Sequence, residues 1–302
     1  MNELFDKLIL RIVFTLFLCG ILFIYKYAHS FLYPSSRTQI FKRFFPSKNS
    51  SDTIHLFSRL IGIGIIFSEF YFTMSDKFYL TLIDFFIHAT LVSFIYLISI
   101  YIIESIVLYN FEYHDEIIKR KNMSYALISF ANATAVAYII KGVSSVSKSS
   151  VIILLFLWLL AMVLLGFSTK TYSLISKLSF NRLLVQKNLA VGISYLGFIW
   201  GWTIIINSAF DHELENIKWY TIYVILKILL ALIIIPIFKI GLAFIFKLQD
   251  DFNSPGKEGV SNEDGSAEIG YGVFEGSIFF TACYLTTVIT GNINFGNFYP
   301  TF

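Results

Sequence analysis

The sequence predicts an all-α polytopic membrane protein, with eight transmembrane helices arranged as four parallel two-helix repeats. Three observations carry that expectation: the composition, the number of long apolar runs, and a signature that recurs along the chain. Of 302 residues, 56% are hydrophobic and only 14% charged, and the mean hydropathy is +0.71. A soluble core of this size could not hide so much apolar surface. The net charge of +3 is small and spread between loops, which argues against nucleic acid as a partner. The expected partners are the lipid bilayer and, beside it, a second copy of the chain or another membrane protein. Cys19 and Cys283 both fall inside apolar runs, where a thiol packs as a small hydrophobe, so neither a disulfide nor a metal is expected.

Eight apolar segments can cross a hydrocarbon layer of roughly 30 Å at about 1.5 Å per helical residue. They lie near 8–28, 52–74, 79–109, 123–141, 150–169, 188–210, 219–247 and 267–289. The chain thus divides into membrane halves 1–149 and 150–302, with four spans each. No small-residue cleavage site follows the first span, which ends in Tyr25-Lys26-Tyr27 and reads as uncleaved. Cytoplasmic loops retain Lys and Arg. The loops after spans one, three, five and seven hold Arg37, Lys42, Arg43, Lys48, Lys119, Arg120, Lys121, Lys170, Lys177, Arg182, Lys187, Lys247 and Lys257. The opposite face holds Lys7, Lys77, Lys141, Lys148 and Lys218. Both termini are therefore expected in the periplasm of a bacterial inner membrane. Two inner loops, TQIFKRFFPSKN and TYSLISKLSFNRLLVQKN, are amphipathic and read as headgroup-layer anchors, or as a gate or docking helix.

The recurring signature is a Lys-Asn dipeptide followed by small residues four apart. Lys48-Asn49 precedes Ser58 and Gly62, Lys121-Asn122 precedes Ala131 and Ala135, and Lys187-Asn188 precedes Gly197 and Gly201. A looser copy has Gly272 and Gly276 after Asn262. Asn can cap the helix that follows, and small residues at i and i+4 let a neighbouring backbone approach closely. Even-numbered spans should accordingly form a tight inner wall, with the Leu, Ile and Phe of odd-numbered spans facing lipid. Four outside-in, inside-out hairpins pointing the same way are parallel repeats about the membrane normal.

Over residues 150–290 the chain resembles the YjfL-like family of small bacterial inner-membrane proteins, a domain of unknown function. The resemblance rests on Asn188, Ala190, Gly197 and Gly201 in the sixth span and on GYGVFEGS, Gly270–Ser277, in the eighth. The first half resembles a diverged second copy, with Arg59 and Asn132 where the second has Phe198 and Val273. The resemblance implies a fold and a location, and it transfers no catalytic residue.

Ionisable groups inside a membrane cost roughly 2.5–3.5 kcal/mol on insertion scales and face protein or water. Here they are Arg59, Glu69, Asp84, His88, Glu104, Lys227, Lys239 and Glu275. Arg59 lies ten residues past Asn49, about 15 Å inward and near the midplane, and it needs an acid. Glu104 and Glu275 are the candidates, with Lys239 competing for Glu275. Asp84 and His88 share a helix face that Lys227 or Glu69 could join. These groups read either as pairs that fix packing or as a polar path. Pro236 is expected to kink the seventh span or serve as its hinge.

No metalloprotease, Walker, nucleophile-elbow, Cys-x-x-Cys or dinucleotide motif occurs, so neither an enzyme nor a cofactor is expected. The five histidines are scattered along the chain rather than grouped at ligand spacing. The leading expectation is a channel- or transporter-like protein for an ion or small solute, its path lined by Arg59, Glu104 and Glu275. The alternative is a structural or assembly protein that binds an envelope partner and moves nothing.

Overall fold

The computed structural model describes residues 2–42, 44–68, 78–147, 150–212, 214, 216–246 and 268–291. Its long helices are α1 Asn2–Leu32, α2 Ser50–Phe67, α3 Phe78–Val107, α4 Met123–Ser147, α5 Val151–Gly166, α6 Leu189–Phe210, α7 Ile217–Ile245 and α8 Ile269–Gly291. No strand occurs among the described residues. By length and composition, seven of these helices can cross a membrane. The exception is α2, whose described part has 18 residues, about 27 Å of helix. The remainder of that expected span, with Glu69, lies outside the described residues.

Helix α2 packs on α4, α4 on α6, and α6 on α8, so the even-numbered helices stand side by side in chain order. The share of the most apolar stretch that is buried separates the two sets: 72% in α4 and 67% in α6, against 17% in α1 and α7. Small residues explain the close contacts. A Cβ added to Gly197 would strike the backbone of Gly276, and one added to Gly272 would strike the backbone of Ala190. With no apolar drive between helices in lipid, backbone proximity and the dispersion it permits hold this pair together. Farther from the basic loops, Gly201 is covered by Cys283 and Phe280.

The first half closes its wall differently. Ser58, Ala131 and Ala135 are fully buried, but Gly62 receives the Tyr96 ring from α3 rather than a neighbouring backbone. The Tyr96 hydroxyl lies 3.4 Å from the Arg59 carbonyl on α2 and 3.3 Å from the Ala133 carbonyl on α4. One phenol therefore joins three helices at the place where two glycines join α6 to α8.

The Lys-Asn signature does more than cap. Asn49 Oδ1 accepts from the Asp52 N–H, while its Nδ2 donates to the Ile117 carbonyl in the loop after α3, at 2.9 Å. Asn122 does the same one unit on, accepting from Tyr125 N–H and donating to the Leu184 carbonyl in the loop after α5. The lysines point the other way along the row: Lys121 Nζ donates to the Lys48 carbonyl and Lys187 Nζ to the Arg120 carbonyl. Both lysines sit at positive φ, 51° and 58°, a conformation that costs a non-glycine residue about 1–2 kcal/mol. The signatures thus clip neighbouring units together.

The second amphipathic loop is partly core. Short helices Ser168–Ile175 and Phe180–Val185 form there; Leu174 is exposed, whereas Tyr172, Leu178, Leu183 and Leu184 are buried. Helix α7 runs through Pro236 as a single element.

Two substitutions separate the contact faces from the lipid faces. Gly197→Ala should lower thermal stability in detergent by about 1–3 kcal/mol through overpacking, whereas Gly64→Ala, with nothing within 4 Å of the added carbon, should leave it equal or higher. Equal melting for both would remove the close α6–α8 contact.

Candidate functional site

The richest polar centre lies between α1, α2, α3 and α4, near the end of the bundle that carries the basic loops. Arg59 reaches it from α2. In a helix, long side chains lean toward the N-terminus, and the guanidinium follows that rule: Nη1 donates to the carbonyl of His55, one turn back, at 2.5 Å. The charge therefore sits closer to the basic-loop end than the backbone position of Arg59 implies. Glu104, three residues before the end of α3, receives Arg59 Nη2 at 2.5 Å and the Tyr33 hydroxyl at 2.6 Å. Ser129 on α4 donates to the same carboxylate and accepts from Arg59 Nη1 at 2.9 Å. Glu104 rather than Glu275 is thus the acid beside Arg59.

Histidines surround this pair. His55 Nε2 lies 2.8 Å from Arg59 Nη2 and 3.9 Å from Glu104 Oε1. From α1, His29 brings its ring centroid to 5.7 Å from that of His55, and its Nδ1 lies 3.1 Å from the Tyr25 hydroxyl. Tyr33 and Tyr113 complete the cage, their ring centroids 4.9 and 4.7 Å from His55. Tyr113, in the loop after α3, donates to Asp52 Oδ1 at 2.6 Å; burial, then the Asp52 charge, push its phenol well above the usual range and keep it a donor. His29, Asp52, His55 and Arg59 are each no more than 2% exposed. Even so, His29 Nε2, Asp52 Oδ2 and His55 Nδ1 have no hydrogen-bond partner among the described residues. A small cavity lined by Tyr25, His29, Tyr33 and Arg59 adjoins the cage, with room for about one water.

Sequence spacing concealed this grouping, because His29 and His55 lie on different helices and read as scattered. No group of three or more metal-ligating side chains occurs among the described residues.

The second half holds a quieter centre. Glu275, 1% exposed, accepts from Ser194 at 2.6 Å, Ser176 at 2.8 Å and the Lys177 N–H at 3.1 Å, with Lys239 Nζ at 3.5 Å. Tyr172 donates to Ser194 at 3.0 Å. Lys239 also donates to the Ile175 carbonyl and lies over the Phe279 ring. Of the other predicted residues, His88 on α3 meets Ser144 on α4 at 3.1 Å, while Asp84 is exposed. Lys227 is not with them; it packs on α6, donating to the Ser208 carbonyl and lying over Tyr223.

At the opposite end of the bundle, His212 stacks on Tyr220 and meets a tilted Tyr223 ring, centroids 4.1 and 4.2 Å away. Burial, then the Lys227 charge, lower its pKa to about 4. The unfolded ring takes a proton below about 6.5 and the folded ring only below about 4, so stability should fall as pH drops through that window. His212→Phe keeps the stack and should flatten the fall; identical melting curves against pH for both proteins would refute the assignment. Arg59→Leu should destabilise by about 3–5 kcal/mol by leaving Glu104 buried without its cation. Adding Glu104→Gln should recover part of the loss, and an additive double mutant would dissolve the pair.

No curated protein and no solved structure matches this chain. A family described as Domain of Unknown Function (DUF350) matches it twice, over residues 3–144 and 146–282. The chain, with its multiple membrane-type helices, is a tandem member of that family.

Proposed function

We propose that this is a non-enzymatic transport-type protein of the bacterial inner membrane, in which the first half handles a proton or small ion and the second half supports it rigidly. The observation that carries the reading is the cage around Arg59. Four buried ionisable side chains, His29, Asp52, His55 and Glu104, converge there from three helices, and three of them retain an atom without a hydrogen-bond partner among the described residues. Pairs needed only for packing would be saturated, as Glu275 is. Eight spans in four parallel hairpins, with the basic loops in the cytoplasm and both termini in the periplasm, complete the proposal; the Lys and Arg distribution supports the orientation.

A second reading, a scaffold that binds an envelope partner, is favoured by the saturated Glu275 centre and by the backbone contact between α6 and α8. Flux separates the two. Vesicles containing the wild type should dissipate a pH or ion gradient faster than vesicles containing Glu104→Gln. Equal rates, with both proteins shown to be folded by their melting, would sink transport and leave the scaffold.

A further inference from the structure

The protons of the cage can be assigned from donor and acceptor chemistry. Arg59 Nη2 lies 2.8 Å from His55 Nε2, and a guanidinium has donors only. His55 Nε2 must therefore accept, which places the single ring proton of the neutral imidazole on Nδ1. That Nδ1–H is buried in a residue with no exposed surface and has no acceptor among the described residues. Three residues back on the same helix face, Asp52 Oδ2 is a buried acceptor with no donor; Oδ1 of the same carboxylate is already held by Tyr113. A stranded donor and a stranded acceptor three residues apart on one helix face each cost about 1–3 kcal/mol. A water that accepts from one and donates to the other satisfies both. A metal cation cannot fill this role, because Nδ1 carries a proton rather than a free lone pair.

We propose that a single buried water links His55 Nδ1–H to Asp52 Oδ2, making His55 a proton relay between Glu104 and Asp52 that Arg59 latches. While Arg59 occupies Nε2, the ring cannot take a proton. If the guanidinium shifts from Nε2, Glu104 in its protonated form, 3.9 Å away, can release its proton to Nε2. His55 then gives its Nδ1 proton to the water, and the water passes one to the Asp52 carboxylate. Glu104 ends ionised, Asp52 ends protonated, and the ring is neutral with its proton on Nε2. The groups facing the relay are His29 and Tyr25 from α1, Tyr33, Arg59 on α2, Glu104 on α3, Tyr125 and Ser129 on α4, and Tyr113 from the loop. Asp52, in the first turn of α2 at the basic-loop end, is the inner terminal. This deepens the transport reading by naming the proton; the bonding itself stands independently of flux.

Nitrogen NMR of 15N-histidine-labelled full-length protein in lipid nanodiscs at neutral pH reads the assignment directly. His55 is identified by its loss in His55→Gln or, should that variant not fold, by backbone correlation. The expected result is a neutral ring with the proton on Nδ1 and a cross-peak from that proton to water. Asp52→Leu should abolish the water cross-peak and leave the tautomer, which Arg59 dictates, unchanged. A proton on Nε2, an imidazolium, or an Nδ1–H without a water contact in the wild type would overturn the proposal. The expected tautomer and water in a protein that shows no proton flux would overturn the transport reading instead, leaving the bonding in place.

Discussion

A charge placed in hydrocarbon must find its partners within the protein, and the arrangement of the first half follows from how Arg59 meets that requirement. Lipid offers no partner for its five donors, so protein groups must supply most of them. The guanidinium therefore gathers acceptors from α2 and α3, together with hydroxyls from α4 and from the residue after α1. Three of those contacts tie α2 to its neighbours. The position of α1 illustrates the point: its own packing is sparse, yet Tyr33 just beyond it and His29 in its last turn are drawn into the cage. Aromatic edges from Phe14 and Phe17 onto Phe85 secure the rest of that helix.

The two halves meet the same constraint with different residues at matching places. Tyr172 stands 139 residues after Tyr33, and Ser194 stands 139 after His55, the interval that separates Asn188 from Asn49. In both halves a tyrosine that follows the first helix meets a polar residue about one turn inside the second, beside a buried carboxylate. The carboxylate comes from the third helix in one half and the fourth in the other, and its cation is Arg59 on the second helix or Lys239 on the third. Ser194 in place of His55 brings a small hydroxyl that Glu275 holds directly. A centre completed by short hydroxyls and a backbone N–H leaves its carboxylate saturated. One completed by imidazoles has two nitrogens per ring, and only one of each is engaged.

Much of the architecture was legible because it is periodic. Apolar runs of bilayer length and small residues four apart are local patterns, and the faces bearing Gly197, Gly201, Gly272 and Gly276 could be read without knowledge of the neighbours. The acid for Arg59 could be narrowed to Glu104 or Glu275 but not chosen, since the choice depends on which helices adjoin. Three features had no sequence signal of this kind. His29 and His55 meet only through the crossing of two helices. Tyr96 fills the space over Gly62 from a third helix, in place of a backbone. The second role of the Lys-Asn signature, clipping one loop to the next, required the loops to lie side by side. The depth of the Arg59 charge was missed for a different reason: helical rise locates a Cα, whereas the side chain carries its charge a turn toward the N-terminus.

The contrast between the halves also decides where movement can occur. Between α6 and α8 the backbones are in contact, so any sliding must lift one helix off the other against dispersion on both sides. Between α2 and α4 the filler is the Tyr96 phenol, a side chain whose hydroxyl lies within reach of both the Arg59 and the Ala133 carbonyls. Arg59 sits on that same turn of α2, which couples any shift of the Tyr96 ring to the position of the guanidinium over His55. A row held by glycines at one end and by a tyrosine at the other is stiff where its carboxylate is saturated and yielding where its histidines are not. On the proposed reading, that distribution sets the proton-handling centre on a fixed support.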